Sequence, residues 1–375
     1  MRLLFLLQAN VLDDQRSFHA GAQQLVVEGA LSAYMPYCYY GEAQRTGNWS
    51  QCWQEVHRAA TQFQPDFVFL QFFHGPIGHV PMLMERLRQL PNKPIIATSC
   101  GDPYHSRWRD FRPFPSSLKI ASSHGDLLLM SQMGEAAHAA EAWGARNIVL
   151  WPHSCCHLRF KPDFDISQWK PEFDLVFIGS NNRGRNVFSA HNRAARQRHR
   201  YVKLLTRRYG TRFGLFGKNW DGERSWQGAV PFDSQISTMR RARAVFGGYP
   251  YSNADFYLSD RPFIAMGSGV PLVDFRVPRI EQLFRDGEEW HLFSSADDLY
   301  RVCDRVLDAD PACVRDRAAH VTARIFQAHT PYHRLRQAVE LMTHLAEHRR
   351  RRRRAPRPHL AFLNDQEGAV MNWVG

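Results

Sequence analysis

Short apolar runs recur along the chain, each followed by a stretch in which apolar positions return with helical spacing. In the first part the pairs are residues 2–7 then 21–31, and 66–72 then 80–90. Further strand-like runs lie at 94–98, 118–121, 127–130 and 147–151, with a helical segment at 135–143. Strands alternating with amphipathic helices predict a parallel sheet covered on both faces. After a proline-punctuated segment, 160–171, the pattern restarts with an apolar strand at 173–178, a polar turn at 179–185 and a helix at 192–209. A strand at 212–216, a helix at 234–242, a strand at 244–247, a helix at 261–266 and a strand at 272–275 follow, and 311–348 is helical in pattern. The fold class expected is therefore α/β, with two Rossmann-like units of similar size.

Length and composition agree with two cores. A chain of 375 residues exceeds one ordinary domain, and its 44% of apolar residues suits a globular protein. The N-terminal apolar run stops at Gln8 and Asn10 with no small-residue cleavage site beyond it, so it reads as a buried first strand. No stretch reaches the roughly 18 to 20 apolar residues of a membrane span. The seven cysteines include no C-x-x-C pair, which argues against a disulfide framework or zinc knuckle and for a reducing, cytoplasmic location. Cys155 and Cys156 lie between His153 and His157, but adjacent side chains on an extended segment point apart, so no metal site is expected.

Charge changes the picture. Residues 183–212 hold ten Lys or Arg and no acid, and 349–354 is a run of six arginines. Such patches attract phosphates, nucleic acid or an acidic lipid surface; a solvated helix face or a solubilising tail would carry the same residues.

Four blocks stand in order: FDLVFIGSNNRGR (173–185), FGLFGKNW (213–220), SDRPFIAMGSGVPLVDF (259–275) and RIEQLFRDGEEWHLF (279–293). Over residues 173–307 the chain resembles the donor-binding half of the GT-B glycosyltransferases, most closely the group-1-like subset that includes the spore-maturation CgeB-like proteins. The third block resembles that family's Arg-x-Phe-Glu-Ala-x-x-x-Gly pattern, the fourth places an acid before a Leu-Phe pair, and Asp297, Asp298 and Leu299 match the helix that follows. Ile264 stands where the family commonly has a Glu that binds the donor ribose, leaving Asp260 or Asp255 as substitutes. Over residues 1–160 the resemblance is one of topology.

The resemblance implies two Rossmann-like domains facing a central cleft, with 1–160 on the acceptor side, 172–330 binding a nucleotide sugar, a terminal helix at 331–348 and a basic tail at 349–375. A departing diphosphate needs donors that neutralise its developing charge, and backbone N–H groups at a strand-to-helix turn supply them. Gly179 and Gly184 let the backbone approach, and Arg183 and Arg185 add charge-assisted bonds. Lys218 follows a strand end, Asp260 and Arg261 open a helix, and Glu281 is placed for a donor-sugar hydroxyl. An inverting transfer also needs a general base on a loop after a strand of the first domain. Asp102, His74 and His19 are the candidates, with Asp13 and Asp14 on the same loop as His19; a retaining reaction needs none. Tyr104, Trp108, Phe111 and Phe114, interleaved with Arg107, Arg109 and Arg112, suit a sugar- or base-stacking loop and equally suit core packing.

The function expected is transfer of a sugar from a nucleotide-sugar donor to the hydroxyl of an anionic acceptor, a cell-surface glycan or lipid precursor, without a metal or further cofactor. One alternative is a glycosyltransferase acting on a 5-hydroxymethyl pyrimidine in double-stranded DNA, held by the 183–212 strip and the 349–354 arginines. A non-catalytic binding protein and a phosphorylase or epimerase on the same fold are the others, and peripheral membrane contact fits the charge as well.

Overall fold

The structure is a computed structural model that describes residues 1–71, 77–101, 114–161, 169–182, 187–248, 251 and 254–350. The chain folds as two compact units, one built from described residues of 1–101, 114–152 and 331–350, the other from 153–330.

In the first unit, β1 (Arg2–Leu6) is followed by α1 (Arg16–Val27), β2 (Ala33–Tyr37), α2 (Tyr39–Thr46), α3 (Trp49–Phe63), β3 (Phe67–Gln71), α4 (Val80–Arg88) and β4 (Ile95–Cys100). Then come α5 (Ser116–His124), β5 (Leu127–Met130), α6 (Glu135–Ala142) and β6 (Ile148–Leu150). The six strands pair in parallel in the order β2-β1-β3-β4-β5-β6, so the direction of strand addition reverses between β1 and β3. The strand expected at 118–121 is helix α5. Its buried residues Leu118, Ala121 and Ser122 recur at helical spacing, and a four-residue apolar run cannot by itself separate the two periods.

The second unit runs β7 (Phe173–Ile178), α7 (Ala190–Tyr209), β8 (Phe213–Phe216), α8 (Gln235–Met239), β9 (Ala242–Phe246), α9 (Asp260–Gly267), β10 (Leu272–Phe275), β11 (His291–Phe293), α10 (Ala296–Asp308) and α11 (Pro311–Ala328). Its sheet is also parallel, in the order β11-β10-β9-β7-β8, with the reversal between β7 and β9. Buried Phe177, Val245, Phe246, Val273 and Phe275 pack between its layers.

The single helical pattern read over 311–348 is two helices, because Pro331 cannot continue α11 and instead opens α12 (Pro331–Arg350). Helix α12 belongs to the first unit. Leu335, Ala338, Val339, Leu341, Met342 and Leu345 cover one face of the β1-β3-β4-β5 sheet, sharing a core with Leu3, Phe5, Phe67 and Phe69. Against α1 the packing is close: a Cβ on Gly21 would come within 2.9 Å of Tyr332 Cα. At the crossing, the fully buried Arg334 donates from Nε to the carbonyl of Pro152 at 2.7 Å, and Trp151 Nε1 donates to the Arg334 carbonyl at 2.9 Å. Burial pushes the Arg334 guanidinium down to about 9. Arg349, read from sequence as the start of the tail, lies in the last turn of this helix and bonds the carbonyl of Lys93 and the carboxylate of Asp126.

Candidate active site

Open α/β sheets bind ligands beyond the carboxyl ends of their strands, at the point where strand order reverses. In the second unit that point lies between β7 and β9. Gly179 and Ser180 follow the end of β7, and Gly247 and Gly248 follow the end of β9.

Two arginines meet there. Arg261, second residue of α9, donates from Nη1 to the Gly247 carbonyl at 3.2 Å, and its Nη2 would lie 3.1 Å from a Cβ added at Gly179. Arg198, from the middle of α7, donates from Nε to the Gly248 carbonyl at 3.0 Å and from Nη1 to the Ser180 carbonyl at 3.2 Å. Both guanidinium carbons lie over the ring of buried Phe177, at 6.0 Å for Arg198 and 5.5 Å for Arg261, within reach of a cation–π attraction. Burial first, and then the like charge of Arg261, lower the Arg198 guanidinium to about 10; Tyr257, Tyr251 and Asp274 act the other way. Among the described residues no carboxylate forms an ion pair with either guanidinium. Two neighbouring positive charges held on backbone carbonyls, with N–H groups to spare, are arranged to receive an anion.

The backbone around them is fixed by close approaches. Gly217, at the end of β8 with φ of 135°, would place any Cβ within 2.4 Å of the Gly179 carbonyl oxygen. Trp220 Nε1 donates to that same oxygen at 2.6 Å, and its ring stands edge-on to Phe177. On the neighbouring strand β10, the carboxylate of the fully buried Asp274 presses against Gly247, so a side chain at 247 would displace it.

The sequence-predicted donor residues fall as follows. Gly179 and Arg261 are brought together. Lys218 is exposed at the carboxyl end of β8, and its carbonyl accepts from the amide of Asn181, which ties it to the turn after β7. Asp260 sits beside Arg261 in α9 and near Cys155, whose thiol is pushed up by burial and secondarily by Cys156 and Asp260. Glu281 is exposed and ion-paired with Arg276, which also holds Asp286. Ile264 is buried within α9. Arg183, Gly184 and Arg185 lie outside the described residues. Arg198 was not singled out from sequence, although it belongs to the basic strip.

In the first unit the reversal lies between β1 and β3, where the Gln8 amide donates to Gln71 Oε1 at 3.2 Å. A cleft of about 550 Å³ opens where the chain leaves β1 and β2, lined by Gln8, Ala9, Asn10, Asp14, Tyr40, Gln44 and Trp49. Asp14 Oδ2 accepts from the amides of Asn10 and Val11, and Gly41 packs so closely on Asn10 that a Cβ would meet its carbonyl oxygen at 2.1 Å. Tyr40 and Trp49 stand edge-to-face, with ring centroids 6.1 Å apart. Among the described residues the lining is amide, aromatic and one alanine apart from Asp14, and includes no Lys, Arg or His.

Of the proposed bases, Asp102 and His74 lie outside the described residues. His19 was expected in the loop after β1; it lies instead within α1, where its Nδ1 meets the Tyr34 hydroxyl at 3.4 Å. The helix begins at Arg16, immediately after a 3-10 turn formed by Leu12–Gln15, so the loop is shorter than the sequence suggests. Of the aromatics assigned to a stacking loop, Phe114 is described and packs edge-on against Trp143. Among the described residues no cluster of three or more His, Cys, Asp or Glu is placed to hold a metal ion, and no helix is long and apolar enough to cross a membrane.

Residues 196–340, which include both Arg198 and Arg261, match a family described as glycosyl transferase-like. Among solved structures, HepE from Anabaena in complex with UDP and glucose superposes with a TM-score of 0.55 at 11% identity, over 92% of this chain and 99% of that one. A UDP-forming α,α-trehalose-phosphate synthase from Burkholderia xenovorans gives 0.57 at 10% identity, over 92% and 99%. A glycosyltransferase from Rickettsia africae gives 0.58 at 10%, over 91% and 97%. No curated protein matches the sequence. The fold is that of the GT-B glycosyltransferases. The stretch similar to the glycosyl transferase-like family, residues 196–340, carries both arginines of the site but not Phe177, Gly179 or Ser180.

Proposed function

We propose that the protein transfers a sugar from a nucleotide-sugar donor to a hydroxyl of a carbohydrate acceptor. The observation that carries this reading is the Arg198–Arg261 pair at the reversal point of the second sheet. As the bond from the anomeric carbon to the donor phosphate breaks, negative charge grows on the departing diphosphate. Two guanidiniums already fixed on the carbonyls of Ser180, Gly247 and Gly248 neutralise it with little reorganisation, which is where most of such a rate enhancement resides. The acceptor oxygen forms the new bond to the anomeric carbon as the diphosphate leaves, and its proton passes to a basic group of the site or to the departing phosphate oxygen. Relatives of the same fold crystallised with UDP and glucose, and one named as UDP-forming, support a nucleoside diphosphate as the product released.

The acceptor is assigned to the first unit's cleft. Trp49 and Tyr40 offer faces to a sugar ring, and Gln8, Asn10 and Gln44 offer paired donors and acceptors to its hydroxyls. The total positive charge of the chain suggests an anionic acceptor, yet among the described residues this lining holds no cation, which favours a neutral polyol.

Thermal shift with UDP, GDP, ADP and their glucose conjugates tests the donor half, since a ligand bound only to the folded state raises the melting temperature. At least one diphosphate should stabilise the wild type and fail to stabilise Arg261→Ala. If none does, or if the variant responds as the wild type does, the reading is wrong.

A further inference from the structure

Helix α7 carries its positive charge on two faces. Arg198 turns inward to the site, while Arg193, Arg196, Arg200, Lys203 and Arg207 are exposed. Their spacing of three, four, three and four residues lines them along one side of the helix, over about 21 Å at 1.5 Å per residue. No acidic residue occurs in α7, and none of the five ion-pairs with a carboxylate among the described residues. Arg208 and Arg212, which lie off this line, are neutralised by Asp304 and Asp174.

At the beginning of the stripe are two exposed apolar residues, Val187 at 49% and Phe188 at 73%. Their carbonyls accept from Arg196 Nη1 and Arg193 Nη1, each at 2.8 Å, so the apolar pair is fastened to the cationic end.

We propose that this face of α7 docks the protein on an anionic lipid surface. The five cations lie at the level of the headgroups, and Phe188 with Val187 enters the boundary between headgroups and acyl chains. A nucleic-acid duplex would engage the cations equally well but would leave the apolar pair in water. Lipid rewards both features, and that decides between the two partners.

Co-sedimentation with vesicles of phosphatidylcholine, alone or mixed with phosphatidylserine, tests the proposal. Wild-type protein should pellet with the mixed vesicles and not with the neutral ones. Arg200→Gln/Lys203→Gln/Arg207→Gln should weaken that partitioning on the order of a hundredfold, from about fivefold per charge removed. Phe188→Ser should weaken it severalfold while keeping its salt dependence. All these positions are exposed, and circular dichroism checks that each variant is folded. Unaltered pelleting of the triple variant would place the attraction elsewhere on the chain and overturn the proposal. So would a neutral Phe188→Ser whose vesicle binding is displaced by a duplex oligonucleotide, which would assign the stripe to nucleic acid.

Discussion

Arg198 and Arg261 reach the ring of Phe177 from different helices, and each is held by a carbonyl just beyond the end of β9. The chain thus places two like charges side by side and fixes them before any anion arrives.

The two arginines separate binding from stability. Arg261→Ala removes a charge-assisted contact and should weaken UDP binding by about 1.5–3 kcal/mol, roughly ten- to hundredfold by calorimetry. Arg198→Met should weaken binding comparably while leaving the melting temperature of the free protein little changed, because relief of repulsion from Arg261 offsets two lost hydrogen bonds. A free-state melting point far below the wild type would mean that Arg198 is mainly a structural tie.

Gly217→Ala should destabilise the second unit by about 1–3 kcal/mol, since φ is 135° and the new Cβ meets the Gly179 carbonyl. Chemical denaturation measures the loss. A midpoint equal to that of the wild type would show that β8 can move away from β7 at no cost.

Trp49→Ala is expected to raise the KM for a carbohydrate acceptor by about tenfold, from a stacking contribution on the order of 1–1.5 kcal/mol. UDP affinity should not change, because Trp49 lies in the first unit and the arginine pair in the second. An equal loss of donor affinity would contradict the assignment of the cleft to the acceptor.

Stability should also depend on His291. Burial, and then Arg305, lower its imidazole from 6.5 to about 4, with Arg317 adding to the shift and Asp286 opposing it. The ring is therefore neutral in the folded state while the unfolded chain takes up a proton near pH 6.5. Stability falls as pH drops from about 6.5 towards 4, and about 2 kcal/mol should be lost between pH 7 and 5 from this group. Denaturation midpoints at the two pH values should differ less in His291→Gln, and an identical difference would remove the histidine from the account.

Much of the architecture was legible because its signals are local. The continuous apolar strands 2–7 and 173–178, and the amphipathic stretch 192–209, specify their own period, and the structure places elements there. The run at 118–121 was too short to specify one, and the Pro331 break inside 311–348 went unread although proline announces it. Site residues were harder, because a side chain's role depends on partners far away in sequence. Arg261 was proposed as a diphosphate contact within the block that carries the resemblance, and the structure places it beside Gly179. Arg198 was hidden in the basic strip, yet a signal for it existed: it occupies the stripe of Ala194, Ala195, Tyr201, Val202, Leu205 and Tyr209, the apolar face of α7, where a solvated arginine has no place. The first unit's cleft could not be foreseen, since Gln8 meets Tyr40 through the register of β1 with β2, and Trp49 joins them from the start of α3.

The return of α12 to the first sheet has a consequence for biosynthesis. Residues 1–152 cannot close their own interior, because Leu335, Leu341 and Met342 form part of it. The first unit's sheet, made before α12, keeps an apolar face open until α12 is synthesised and packs on it. A fragment ending near residue 160 should accordingly aggregate, and splicing residues 331–350 onto it through a short linker should restore solubility.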